Sequence, residues 1–174
     1  MTETEITRAG FAAIIGAPNA GKSTLTNRLV GAKVAIVTHK VQTTRFPVRG
    51  VAQVGNAQIV LVDTPGIFVA KRRLDRAMVK VDSAAWVADK AGTATGAQKM
   101  SIADDLRVIE QLKLTEKRAF LALNKIDLFP HDQVLPVMGE LNDTGVYDEI
   151  FMISAENGDG VDRLSAALAD RMPA

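Results

Sequence analysis

Short apolar runs and amphipathic stretches alternate along this chain of 174 residues. Apolar runs at residues 11–16, at 149–154 and at Ala119–Asn124 have the length and composition of buried strands. Apolar residues recur at helical spacing elsewhere, which predicts helices over residues 72–81, 102–112 and 133–141, over Lys22–Val30 and over Val161–Arg171. Strands that alternate with helices are typical of an α/β fold, in which a mostly parallel sheet is covered on both faces.

One further pair of strand-like runs should be antiparallel. Residues 46–54 and Ala57–Asp63 are separated only by Gly55-Asn56, and a two-residue link of this kind favours a tight hairpin. This pair would add an antiparallel edge to the sheet. Ligands of such folds bind at the carboxyl ends of the strands, and the motifs described below fall there.

The stretch between the predicted helices at 72–81 and 102–112 does not fit this alternation. A buried strand is expected there, but only residues 84–88, with the sequence AAWVA, offer apolar material for it. The glycines and threonines that follow are poor material for a central strand. The helix after this stretch should turn three residues toward the core: Leu106, Ile109 and Leu112.

The composition is that of an ordinary globular protein, with 47% apolar residues, 24% charged residues and a net charge of +1. Its length predicts one domain over residues 1–174, with a flexible segment at 1–9. The chain contains no cysteine, which excludes disulfides and thiolate metal sites and fits a cytoplasmic location. No run approaches the roughly 18 to 20 apolar residues that a membrane span needs.

Charge is distributed unevenly along the chain. No acidic residue occurs between Ile6 and Val62. The charged residues of that segment are all basic: Arg8, Lys22, Arg28, Lys33, Lys40, Arg45 and Arg49. A segment whose charges are all positive suits an anionic ligand or partner.

The sequence GAPNAGKST at residues 16–24 follows the first predicted strand and opens the first predicted helix. Its glycines allow a tight curl in which several backbone N–H groups point at one phosphate, and the helix adds the positive end of its dipole. Lys22 would supply a cation for the β- and γ-phosphates, and the Ser23 hydroxyl could bind Mg²⁺. The residues expected to contact the nucleotide here are Asn19, Ala20, Gly21, Lys22, Ser23 and Thr24.

Two later motifs favour guanine as the base. Asp127 ends the sequence NKID and could accept hydrogen bonds from N1–H and the exocyclic amine of guanine, whereas adenine would leave its carboxylate unpaired. The stem of Lys125 can lie over the base plane. A small residue after Ser154 would let a backbone N–H approach the guanine O6. The predicted base-binding residues are Asn124, Lys125, Asp127, Ser154, Ala155 and Glu156.

Two more segments supply candidate ligands for Mg²⁺ and for the γ-phosphate. Asp63 ends the hairpin strand and could hold Mg²⁺ through a water, while the Gly66 N–H could reach the γ-phosphate. A threonine of the basic loop, Thr43 or Thr44, could complete the metal shell when a γ-phosphate is present, so that the loop orders in one nucleotide state. We prefer Thr44, although no physical argument excludes Thr43.

Together these motifs resemble those of the translation-factor-like GTPases, and among them the Era family. The resemblance covers residues 11–172 and is carried by GAPNAGKSTLTNRLVG, KVQTTR, LVDTPGIF, RLDRAMV, LNKID and ISAENGDGVDRL. It implies a three-layer P-loop fold of the Ras-like G-domain type, hydrolysis of GTP to GDP as a conformational switch, and switch loops at residues 33–45 and 63–80. It also implies a role in small ribosomal subunit assembly, with small-subunit ribosomal RNA and the ribosome as partners. Peripheral membrane association and a monomeric state belong to the same expectation.

The resemblance further suggests how hydrolysis is assisted. The residue after DTPG is Ile67, so no glutamine stands there to orient the attacking water. Relatives with an apolar residue at this position are similar in often using K⁺, which the asparagine matching Asn19 helps to hold against the phosphates. The residues expected to serve catalysis are therefore Asn19, Lys22, Thr44 and Gly66.

The chain departs from the Era pattern at its end. Era proteins carry a KH domain that binds RNA after the GTPase domain, and we expect that domain to be absent, since no GxxG clamp of the KH kind follows. Binding to ribosomal RNA is therefore assigned to no residue. Two alternatives stay open: a guanine-nucleotide-binding regulatory module with little hydrolysis, and a P-loop phosphotransferase or ATPase, against which Asp127 argues.

Overall fold

The computed structural model of the protein describes residues 7–16, 20–31, 48–63, 78–83, 106, 108–114, 116, 118–128 and 130–174, with the backbone alone at 49, 63, 78–83 and 133. The strands in this part of the chain are β1 (Arg8–Ile15), β2 (Val48–Val54), β3 (Ala57–Asp63), β4 (Met78–Ser83), β5 (Ala119–Asn124) and β6 (Tyr147–Met152). The helices are α1 (Lys22–Val30), α2 (helical residues 106 and 108–114), α3 (His131–Asp143) and α4 (Val161–Arg171), and a 3-10 turn covers Ile126–Leu128.

The described strands form one sheet in the order β2-β3-β1-β4-β5-β6. Every neighbouring pair is parallel except β2 and β3, which are antiparallel. Gly55 turns this hairpin with a φ of 57°, a left-handed value that glycine adopts without a steric penalty. The predicted α/β fold with one antiparallel edge hairpin is confirmed.

Helices cover both faces of the sheet. Phe120 and Ala122 of β5 belong to the core that packs against α1 and α4, whereas Leu121 and Leu123 belong to the core under α2 and α3. All six residues of β5 are therefore buried, which explains why this run is apolar without alternation. None of the helices in the described part of the chain has the length and hydropathy of a membrane span.

Strand β4 corrects two predictions. It occupies Met78–Ser83, so the helix predicted over residues 72–81 is wrong at residues 78–81, and residues 78–80 of the predicted second switch loop are sheet. β4 is the central strand that the sequence predicts near residues 84–88, and it ends at Ser83, before that run begins. Residues 84–88 lie outside the described residues. β4 pairs with β1 and β5, and hydrogen bonding on both sides favours a strand where local spacing had suggested a helix.

Other elements differ from prediction at their ends. β1 begins at Arg8, so residues 8 and 9 belong to the sheet and not to the flexible segment predicted at 1–9. Leu106 is 57% exposed, and the prediction that it faces the core is wrong. Val108 is buried in its place, together with two residues whose burial was predicted correctly: Ile109 and Leu112.

A cluster of charged residues joins β6 to its neighbours at the end of the sheet opposite the motifs. The Asp148 carboxylate pairs with Arg118, which precedes β5, and with Arg171 at the end of α4. Burial raises the pKa of Asp148, but hydrogen bonds and positive charge from the two arginines outweigh it and hold this pKa below 3.8. The Arg171 guanidinium also lies 4.3 Å from the ring centroid of Phe120.

Candidate nucleotide site

The end of the predicted phosphate loop is closed by Gly21. This residue precedes α1 with a φ of 94° and a ψ of 22°, values that a residue with a side chain rarely adopts. A Cβ atom added here would lie 2.1 Å from Nδ2 of Asn124, well inside contact distance. Glycine is therefore required at this position twice, for the backbone turn and for the close approach of Asn124.

The side chain of Lys22, the first residue of α1, extends toward the end of β1. Its Nζ donates a hydrogen bond to the carbonyl oxygen of Gly16 at 2.7 Å, next to the end of β1. Ser23 and Thr24 follow on the exposed side of the first helical turn, which contains no acidic residue. A cation, two hydroxyls and the positive end of a helix dipole thus meet at one place, an arrangement suited to phosphate groups.

Asn124 joins the phosphate loop to a second loop. It ends β5 and is only 3% exposed. Its Nδ2 donates to the carbonyl oxygen of Ala20 at 3.0 Å, and its Oδ1 accepts from the Ala155 backbone N–H at 2.9 Å. Asn124 therefore holds together two segments that the sequence predicted to lie at the phosphates and at the base.

The rest of the NKID motif forms a tight turn beside this bridge. Lys125 has a φ of 65°, which is uncommon for a residue with a side chain and costs about 1 kcal/mol or more. The turn is held because the Ile126 N–H donates to the Ile153 carbonyl at 3.3 Å and the Leu128 N–H donates to the Lys125 carbonyl at 3.1 Å. Asp127 lies exposed within the 3-10 turn, available to a ligand at this edge of the sheet.

The loop over residues 154–158 is closed by its own hydrogen bonds. Ser154 is fully buried, and its carbonyl accepts from the Gly158 N–H at 2.7 Å while its Oγ accepts from the Asn157 N–H at 3.2 Å. The Ser154 N–H donates to the Asp159 carbonyl at 2.9 Å. Ala155 is also buried, so the small residues predicted at this place are the ones that the packing admits.

Arg28 is a member of the site that the motifs did not reveal. It lies on α1, and its Nε donates to the Ala155 carbonyl at 3.0 Å. Its Nη2 donates to the Glu156 carbonyl. In the sequence Arg28 belongs to the acid-free basic segment and to the stretch at residues 16–31 that resembles Era, and neither signal singles it out from its neighbours.

Several predicted residues lie outside the described part of the chain. Asp63 is described by its backbone: it ends β3 opposite Ile14 of β1, at the carboxyl edge of the sheet. Of the three predicted Mg²⁺ ligands, only Ser23 therefore has a described side chain, and the described residues include no cluster of three acidic or histidine side chains that could hold a metal ion. Ser23 brings a hydroxyl and Asp63 a carboxylate to this edge of the sheet, and both are donors that fit Mg²⁺. The predicted residues outside the description are Asn19, Thr43, Thr44, Gly66 and Ile67.

A mostly parallel sheet whose first strand leads through a glycine-closed loop into a helix defines a P-loop nucleotide-binding domain. Its later loops carry NKID after β5 and Ser-Ala-Glu after β6, and this order of motifs is typical of domains that bind guanine nucleotides. Residues 11–125 match the protein family described as 50S ribosome-binding GTPase. The chain belongs to this family.

Individual relatives are similar over nearly the whole chain. The GTPase Era of Caulobacter vibrioides is 56% identical over 99% of this chain and 60% of that protein, and the GTPase Era of Maricaulis maris is 54% identical over 95% and 58%. The chain thus spans about 60% of the length of these curated relatives. The resemblance to the Era family is confirmed.

Solved structures agree with this assignment. A crystal structure of Era in complex with MgGDPNP and a fragment of 16S ribosomal RNA has a TM-score of 0.68 and 31% identity, covering 97% of this chain and 58% of the other. An Aquifex aeolicus Era variant bound to GDP and tetrafluoroaluminate has the same TM-score at 30% identity and the same coverage. The predicted P-loop GTPase fold is therefore confirmed.

Proposed function

We propose that this protein binds guanine nucleotides at the carboxyl edge of β1, β3 and β5, and that it hydrolyses GTP to GDP and phosphate. The observation that carries the proposal is the Asn124 bridge. One buried side chain links the carbonyl of Ala20 in the phosphate loop to the N–H of Ala155. Because the two loops are fixed to each other, a nucleotide that spans them would meet a preformed surface, which lowers the cost of binding.

The phosphate end would be held by α1 and its loop. Lys22 would exchange its bond to the Gly16 carbonyl for phosphate oxygens, joined by backbone N–H groups around Gly21. Mg²⁺ would be held by Ser23 and Asp63, with Thr44 completing the shell in the triphosphate state. When bound, Mg²⁺ neutralises charge on the β- and γ-phosphate oxygens. Related Era proteins were solved with MgGDPNP and with GDP and tetrafluoroaluminate, which supports the same chemistry here.

The base end would select guanine through Asp127. Its exposed carboxylate would accept from N1–H and the exocyclic amine, and a backbone N–H of the loop at 154–158 would donate to O6. An adenine base offers neither donor in that pattern and would leave a carboxylate unpaired, a difference of roughly 2 to 5 kcal/mol. Lys125, held with a positive φ, would cover one face of the base.

Hydrolysis would be assisted by K⁺ held near the phosphates by Asn19, in place of a water-orienting glutamine at Ile67. In the cell the protein would act in small ribosomal subunit assembly, with 16S ribosomal RNA as the partner. Support comes from relatives named GTPase Era and from the Era structure solved with a 16S ribosomal RNA fragment. A cytoplasmic monomer that associates peripherally with membranes is part of the same proposal.

Calorimetric titration with GDP, GTP and ATP, with and without Mg²⁺, tests the binding site. We expect GDP and GTP to bind at least tenfold more tightly than ATP, and replacement of Asp127 by asparagine to shift preference toward xanthine nucleotides. The matched control is Asp132→Asn, an exposed carboxylate on the first turn of α3. ATP as the tightest ligand would contradict the proposal.

Phosphate release in KCl and in NaCl tests the reaction. We expect turnover with GTP that is faster in KCl, because K⁺ would stabilise charge as the bond between the β- and γ-phosphates breaks. An Asn19→Ala variant should lose the difference between the two salts while retaining GDP binding. Tight GDP binding without turnover in either salt would instead favour a regulatory module with little hydrolysis of its own.

A further inference from the structure

The guanidinium of Arg28 lies against the backbone of the loop at 154–158. Its Nε donates to the Ala155 carbonyl at 3.0 Å, and its Nη2 donates to the carbonyl of the next residue, Glu156. A Cβ atom added at Gly158 would lie 3.6 Å from Nη1, in ordinary contact. Three residues of the loop thus lie beside one planar cation that originates on α1.

These contacts close a ring of covalent and hydrogen-bonded links. α1 begins after Gly21, next to the Ala20 carbonyl that Asn124 binds. Asn124 binds the Ala155 N–H, Arg28 binds the Ala155 carbonyl, and Arg28 returns to α1 six residues after Lys22. The peptide groups on both sides of Ala155 are therefore held from two different elements, so this segment has little freedom to shift.

We infer that Arg28 is a positioning residue for base selection: it fixes the Ser154–Glu156 segment so that the Glu156 N–H meets the O6 of a guanine nucleotide. The other two N–H groups of the segment donate within the protein, that of Ser154 to the Asp159 carbonyl and that of Ala155 to Oδ1 of Asn124. The inference rests on the proposed function, because O6 recognition by this loop is part of it. Arg28 itself acts through the two carbonyls and contacts no part of the ligand. The planar guanidinium group can donate hydrogen bonds to both carbonyls at once, whereas a lysine ammonium is a single charged centre that cannot match this geometry.

A purely structural role would have a different consequence. If Arg28 only stabilised the fold, its removal would lower the unfolding temperature and weaken the binding of all nucleotides by the same factor. If it positions the loop for O6, the loss should depend on whether the ligand carries that oxygen. The ligand series GDP, IDP and 2-aminopurine riboside diphosphate separates the two, since IDP keeps O6 and N1–H but lacks the amine, whereas the 2-aminopurine nucleotide keeps the amine but lacks both O6 and N1–H. Each variant is compared with the wild type on the same ligand, so that the missing N1–H, which weakens binding to both proteins through Asp127, cancels.

The experiment uses the 174-residue chain as wild type, Arg28→Ala, Arg28→Lys and Arg8→Ala. Arg8 is the matched control, because its Nη1 donates to the Asp170 carbonyl at 2.9 Å at the opposite end of the sheet. Dissociation constants for the three diphosphates are measured by calorimetry, and unfolding temperatures by circular dichroism.

We expect Arg28→Ala to weaken binding of GDP and of IDP alike by about tenfold, the loss of one hydrogen bond from the loop N–H to O6, and binding of the 2-aminopurine nucleotide by less than about twofold. Arg28→Lys should fall between, and Arg8→Ala should match the wild type for all three ligands. The ratio of GDP to IDP affinity should stay constant, because these ligands differ only in the exocyclic amine, which binds Asp127 and not the loop that Arg28 holds.

Equal weakening of all three ligands, or no weakening of any, would overturn the inference. If Arg28→Ala does not fold, the comparison is made with Arg28→Lys, whose expected loss is about threefold and again confined to ligands with O6. Failure of the proposed function has a separate signature, since the wild type would then show no preference for GDP over ADP.

Discussion

Replacement of Asn124 by alanine tests the central link of the site. The change removes a side chain that is 3% exposed, together with its hydrogen bonds to the Ala20 carbonyl and the Ala155 N–H. Both backbone partners belong to buried residues, so water cannot easily replace the lost amide. A substitution at this position should therefore cost more than its small volume suggests.

The magnitude can be worked from those two bonds. Each contributes about 0.5 to 1.5 kcal/mol net, and a buried partner left without a hydrogen bond adds about 1 to 3 kcal/mol. Because the loops can relax and admit some water, we expect the free energy of unfolding to fall by about 2 to 4 kcal/mol. Nucleotide affinity should fall as well, since the two loops that Asn124 joins would no longer be fixed to each other.

Urea unfolding followed by circular dichroism measures the first effect, and GDP titration the second. The control is Asn142→Ala on the exposed side of α3, where a change within about 0.5 kcal/mol is expected. The midpoint should move at constant slope, which shows that native stability has changed and not the extent of unfolding. A loss under 0.5 kcal/mol for Asn124→Ala, equal to that of the control, would refute the reasoning.

Three further predictions follow from other parts of the molecule. Gly21→Ala should displace Asn124 and strain a backbone with a φ of 94°, so calorimetry should detect GDP binding at least tenfold weaker; unchanged affinity would contradict the described loop. Leu121→Ala, at a fully buried position of β5, should cost about 2 to 5 kcal/mol in urea unfolding, whereas Leu135→Ala, at 56% exposure, should cost under about 0.5. Because the folded-state pKa of Asp148 is lowered, its carboxylate stabilises the fold fully above pH 3.8 and loses this effect as the pH falls through the lower folded value. Asp148→Asn should therefore be less stable than wild type at pH 7, and the difference should vanish in acid; a difference that persists below the folded pKa would exclude this cause.

The site combines a rigid frame with ligand-facing groups on its surface. Buried groups, Asn124 and Ser154 among them, make hydrogen bonds within the protein, whereas Ser23 and Asp127 are exposed at the same edge. This division is expected where binding groups must be held in place by a second layer that never touches the ligand. Arg28 belongs to that second layer, and the phosphate-loop pattern at residues 16–24 does not include it.

Much of the sheet could be predicted because turns and buried strands leave their signals in short stretches of the sequence. The Gly55-Asn56 link determines the hairpin through its backbone preferences, and the uninterrupted apolar run of β5 reflects burial on both faces. β4 was misassigned because Met78–Ser83 carries mixed polar and apolar residues whose spacing also suits a helix. Its neighbours β1 and β5 decide the matter by pairing with it on both sides.

The sequence by itself determined which chemical groups the protein has for a nucleotide, since the spacing of Gly21, Lys22 and Ser23 dictates a curled loop at the start of a helix. Only the tertiary structure decided how those groups are held. The partners of Asn124 lie 104 and 31 residues away, and Arg28 is 127 residues from the carbonyl of Ala155. Periodicity records burial and local backbone preference, but it carries no information about which distant peptide group a side chain meets once the sheet has formed.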